Sequence, residues 1–146
     1  MLARAGRLNL LLLAGDRIVV PEIVAEEVAA HSDEAARALG AQGWLEGVPA
    51  VQVSPAIAAW DLGAGESAVV SWAVAHPGSL AILDDYAART CAEALGVPLV
   101  GTLGLALRAK VSGQVASARP LVEELRKAGL YLSDHLIREA LALVEK

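Results

Sequence analysis

The stretch LAILDDYAARTCAEALGVPLVGTLG, residues 80–104, decides the fold. Its first four residues are apolar, too few for a helix and bounded by turn signals, so they read as a buried strand. Asp84 and Asp85 follow directly. A helical segment then runs to about Leu95, where Gly96 closes it. Residues 97–100 form the next apolar strand, and Gly101-Thr102-Leu103-Gly104 opens a further helix that Gly113 ends. A strand, a crossover helix and a second strand make a βαβ unit, whose two strands run parallel.

The same alternation extends to both sides. Residues 2–14 read as a helix with a leucine-rich face, and residues 17–20 as a short β-branched strand. Pro21 suits the first turn of a helix reaching about Ala30. Ser32 is placed to cap another helix, with Asp33 and Glu34 in its first turn and Gly40 at its end. Residues 48–53 read as a strand. Ser54 and Pro55 open a short helical piece before Gly63, and a helix runs from Glu66 to about Ala75, broken by His76-Pro77-Gly78. Helices over about 118–128 and 134–145, the second capped by Ser133, complete the chain. The fold class expected is α/β, with a mainly parallel sheet in a single domain spanning all 146 residues.

Composition narrows the class. Hydrophobic residues make up 55% and charged residues 20%, which excludes a disordered chain. The apolar mass is Leu, Val and Ala with no Phe, as suits buried parallel strands and their covering helices. Cys91 is the single cysteine, so neither an intrachain disulfide nor a cysteine zinc cluster can form, and a reducing cytoplasm is expected. The run Leu10–Leu13 after Arg4 and Arg7 is too short for a secretory leader, and His76-Pro77-Gly78 interrupts the uncharged residues 67–83, so no membrane association is expected. The net charge of −5 argues against a passive, non-specific nucleic-acid binder. It argues less against an enzyme whose metal site must itself be acidic. Arg108, Lys110, Arg119, Arg126 and Lys127 gather late in the chain, either as a solvated face or as a phosphate-facing patch.

Four carboxylates stand apart. In the helix after Pro21, Val24 and Val28 mark the apolar stripe. At about 100° per residue Glu26 points away from it, whereas Glu27 falls at its edge and must find a partner, a cation or water. Glu66 lies in the first turn of its helix, where the helix dipole alone accounts for it. Asp84 and Asp85 end a buried strand, where α/β proteins place their active groups. One of the two, Asp85 the better placed, can cap the next helix, which leaves the other without a structural task. Acids from three separate segments, brought to one sheet edge, make an oxygen-rich site suited to Mg²⁺ or Mn²⁺.

In their order and spacing these segments resemble the PIN-domain family. Val20-Pro21-Glu22-Ile23-Val24-Ala25-Glu26-Glu27-Val28 looks like its strand-to-helix segment. Gly65-Glu66-Ser67-Ala68, Leu83-Asp84-Asp85 and Gly101-Thr102-Leu103-Gly104 resemble three further elements of one prokaryotic branch. The resemblance covers essentially the whole chain. It implies a three-layer α/β/α fold and a metal-dependent endoribonuclease, with Glu27, Glu66, Asp84 and Asp85 as catalytic metal ligands for Mg²⁺ or Mn²⁺. Thr102, Arg108 and Lys110 are candidate RNA contacts. It also implies RNA as substrate, an antitoxin protein as partner, and a possible homodimer. Relatives begin with a central strand ending in an acid, and this chain shows no counterpart. The expectation is therefore either a chain that starts late or a catalytically impaired module that binds nucleic acid or an antitoxin.

His31, His76 and His135 lack any spacing that would make them ligands and are expected at the surface. Trp44, Trp60 and Trp72 are expected in the core or at its boundary, with a base-stacking face as the alternative.

Overall fold

A computed structural model describes residues 2 and 5–144, and the chain divides into two compact units. One comprises Arg17–Gly101, and the other Met1–Asp16 with Thr102–Lys146.

The first unit begins with β1 (Ile18–Pro21), α1 (Glu22–His31), α2 (Asp33–Gly40) and β2 (Leu45–Val48). It continues through α3 (Pro55–Ala58), α4 (Ala64–Ala75), β3 (Ala81–Ile82), α5 (Tyr86–Ala94) and β4 (Leu99–Val100). The second strand lies earlier than residues 48–53, because Pro49 has no N–H to give to a ladder and ends pairing at Val48. Pro21 closes β1 rather than opening a helix, and the first helical residue is Glu22. Ser32 Oγ accepts from the Ala35 amide at 3.1 Å and caps α2 as expected.

All pairing is parallel, as the βαβ pattern requires. β1 runs beside β2 with Ile18 opposite Leu45, and β3 beside β4 with Ala81 opposite Leu99. The expected single sheet is replaced by two separate two-stranded sheets. Among the described residues no strand joins β1 to β3, which is the place the resemblance gives to a central strand. Two-stranded pairs are marginal by themselves. Here α4 packs against both β1 and β3 and holds the two pairs within one unit. Beneath it, Ile57, Val70, Leu83, Ala88, Cys91 and Val97 form a continuous apolar core.

The second unit holds a 3-10 helix (Leu8–Leu13) and α6 (Thr102–Val111), α7 (Ala118–Lys127) and α8 (Asp134–Val144). The N-terminal helix is shorter than residues 2–14, because Gly6 adopts φ +68° and turns the chain just before it. Residues 3 and 4 of that expected helix, and residue 145 of the last one, lie outside the described residues. α6 packs on the 3-10 helix, α7 and α8. Arg7 forms a two-pronged pair with Glu124 at 2.9 and 3.0 Å, which ties the N-terminal segment to α7. Ser133 Oγ accepts from the Leu136 amide at 3.1 Å, capping α8. No helix among the described residues is long and apolar enough to cross a membrane.

Cys91 is fully buried, and burial raises its thiol pKa by disfavouring the thiolate. The native protein should therefore resist a thiol-reactive dye at neutral pH and take up one label per chain once unfolded in guanidinium. Fast labelling of the native state would contradict the packing described for α5.

Candidate metal and RNA site

α4 starts with Gly63 as its N-cap, and glycine brings no side chain to satisfy the free amides of the first turn. The cap comes instead from a residue 38 positions away: Glu27 Oε1 accepts from the Gly65 amide at 3.0 Å. This identifies the partner of the acid read at the edge of the α1 stripe. The helix dipole favours the negative charge there, by about 0.3–1 kcal/mol for exposed groups.

Glu66 approaches the same helix end. A Cβ on Gly65 would collide with the Glu27 carboxylate, and a Cβ on Gly63 would collide with that of Glu66. The two glycines thus clear space for two carboxylates drawn to one helix N-terminus. Glu27 is exposed and Glu66 half-buried, so both remain open to water.

Asp84 and Asp85 follow β3. Asp85 is the N-cap of α5, its Oδ2 accepting from the Ala88 amide at 3.0 Å. Its structural task is therefore visible, and it is the better placed of the pair for it, as the sequence indicated. Asp84 is exposed. Its Oδ1 lies 3.1 Å from the point a Cβ on Gly101 would occupy. Arg89, which sequence reasoning passed over as a site residue, reaches the same point with Nη1 and donates to the Leu83 carbonyl at 3.0 Å. The only signal for it in the sequence is a lone arginine one turn into the helix that follows two aspartates.

Thr102, Arg108 and Lys110 belong to the other unit, on α6. Thr102 is buried and Lys110 half-buried, and Arg108 Nη1 donates to the Leu13 carbonyl at 3.2 Å. Arg126 of the basic segment is tied to Asp134 at 2.9 Å. The three histidines are exposed, and His76 stacks on Trp72 with ring centroids 3.7 Å apart. Trp44 and Trp72 are half-buried, while Trp60 is exposed.

Among the described residues no three His, Cys, Asp or Glu side chains stand close enough together to hold a metal ion. Glu27 and Glu66 both lie at the N-terminal end of α4, Glu27 on the Gly65 amide and Glu66 beside Gly63. Mg²⁺ commonly keeps several waters and takes one or two carboxylates plus substrate phosphate, so a pair of this kind suits a hydrated ion rather than one enclosed by protein.

The helices and short parallel strand pairs are those of an α/β protein, consistent with a PIN-like fold. The chain belongs to the PIN-domain family, whose profile matches residues 1–146. No curated protein and no solved structure matches it.

The glycine cradle gives a non-additive pair of substitutions. Glu27→Ala should cost about 1 kcal/mol through loss of the cap on α4. In Gly65→Ala, the new methyl expels the Glu27 carboxylate while the helix gains up to about 1 kcal/mol of propensity. Adding Glu27→Ala in that background should then cost almost nothing. Denaturant unfolding of the four-protein cycle measures this, and strict additivity would show that Glu27 does not act through Gly65.

Proposed function

We propose that the protein is a Mg²⁺- or Mn²⁺-dependent endoribonuclease that hydrolyses phosphodiester bonds in single-stranded RNA. The observation that carries this reading is that Glu27, from α1, is bonded to the N-terminal end of α4, where Glu66 of the first turn also lies. Membership of the PIN-domain family, a nuclease-type fold that generally binds RNA and uses divalent metals, supports it. Glu27 and Glu66 would hold the cation; Asp84 and Asp85, which form no three-donor group with them among the described residues, would act on the substrate side. A divalent cation bound there would supply activation of water and stabilisation of charge on the phosphate. The protein's own part is to place Glu27 and Glu66 at a helix N-terminus, and to leave them open to solvent and substrate. Thr102, Arg108 and Lys110 would supply further RNA contacts. A toxin role with an antitoxin partner, self-association and residence in a reducing cytoplasm, where Cys91 stays a free thiol, belong to the same reading. The family resemblance supports the first two.

A second reading is a PIN-domain module that binds RNA or an antitoxin without cutting. One observation favours it: no three-donor group exists among the described residues.

Cleavage of a labelled single-stranded RNA separates the two. The first reading expects cutting that requires Mn²⁺, stops in EDTA, and falls at least about 100-fold in Glu66→Gln and in Asp84→Asn. Cutting retained in both variants removes these residues from the reaction. Tight binding with no cutting under any divalent ion establishes the second reading.

A further inference from the structure

Charge is divided unevenly along this chain. Arg17–Gly101 carries three arginines and eleven acidic residues, a formal charge of −8. The remaining residues carry nine Lys or Arg and six acids, a charge of +3. All four candidate carboxylates are on the acidic part. A phosphodiester approaching them is repelled unless positive charge is fixed close by.

Arg89 meets that need. Of the three arginines of the unit, Arg17 is committed to Glu46 through bonds of 2.7 and 2.8 Å, and Arg37 is exposed on α2, far in sequence from the acids of β3. Arg89, on α5, is half-buried and reaches back past the end of β3, where its described hydrogen bond goes to a neutral carbonyl, that of Leu83. A backbone carbonyl orients a guanidinium without cancelling its charge, and the planar fork presents its other N–H groups in a fixed direction. Gly101 makes this placement possible. The point its Cβ would occupy lies 2.5 Å from Arg89 Nη1, 3.1 Å from Asp84 Oδ1 and 3.4 Å from the Leu83 carbonyl. Any side chain at 101 would have to displace the guanidinium or the carboxylate.

We propose that Arg89 is a phosphate-binding residue: its guanidinium, anchored on the Leu83 carbonyl in the space left by Gly101, receives a backbone phosphate of RNA beside Asp84. This rests on the reading of the protein as one that acts on RNA, and it extends that reading by naming the residue that holds the substrate's charge. An arginine matches a phosphate with two parallel N–H···O bonds, a geometry lysine cannot reproduce.

The test is fluorescence anisotropy of a labelled single-stranded RNA on the full chain, across a salt series with Ca²⁺ present, alongside cleavage in Mn²⁺. Arg89→Ala should weaken binding about tenfold and reduce the steepness of log K against log salt by roughly 0.7, the share of one phosphate contact on a single strand. Arg89→Lys should keep the slope with intermediate affinity. Gly101→Ala should weaken binding with the slope kept, because the charge is moved rather than removed. Wild-type affinity and slope in Arg89→Ala, or lost affinity with an unchanged slope, would overturn the proposal. Circular dichroism checks folding. If Arg89→Ala does not fold, Gly101→Ala decides, and wild-type binding there overturns it. RNA binding with an Arg89-dependent slope but no cleavage keeps the phosphate contact and removes the ribonuclease reading. Cleavage with an Arg89-independent slope does the reverse. Failure of the wild-type chain to bind RNA removes the contact as well.

Discussion

The hydrogen bond from the Gly65 amide to the Glu27 carboxylate organises the acidic half of this molecule. It links α1 to the start of α4, and α4 is the element packed on both strand pairs. Among the described residues no strand lies between β1 and β3, so the helix packed on both pairs does what sheet hydrogen bonding does not. A helix in that position needs its free amides satisfied. A carboxylate from α1 does this and draws a chemically useful group to the same place. Structure and candidate chemistry thus meet at one contact, and Gly65 is the residue whose missing side chain allows it, as Gly63 leaves room for Glu66.

The two acidic features differ in character. At α4, Glu27 and Glu66 lie at a helix N-terminus, where backbone dipoles favour carboxylates. At the end of β3, Asp85 is spent on capping α5, and Asp84 has a guanidinium for a neighbour. Residues 17–101 are net acidic and the remainder net basic.

Much of this was legible in the residues. The β-α alternation and the parallel sense of the strands follow from short apolar runs, and the capping serines at 32 and 133 behave as their positions indicate. Glu27 stood out because of its angle on the α1 stripe, although its partner could not be named: periodicity reports a face, not what packs on it. The shift of β2 to Leu45–Val48 was available from Pro49 and was overridden by the β-branched residues after it. The split into two strand pairs depends on which edges meet, and no local pattern encodes that. Arg89 and Gly101 were not readable as a site because the parallel strands do not tell how far a guanidinium on α5 reaches back to the Leu83 carbonyl.

The central claim is that Glu27 and Glu66 form one cation-binding pair at the start of α4. Anomalous diffraction at the manganese edge, from crystals of the full chain grown with Mn²⁺, tests it most directly. A manganese peak within bonding distance of both carboxylates, completed by waters, is the result this account predicts. Manganese bound elsewhere, or none bound while Glu27 stays on the Gly65 amide, would contradict it.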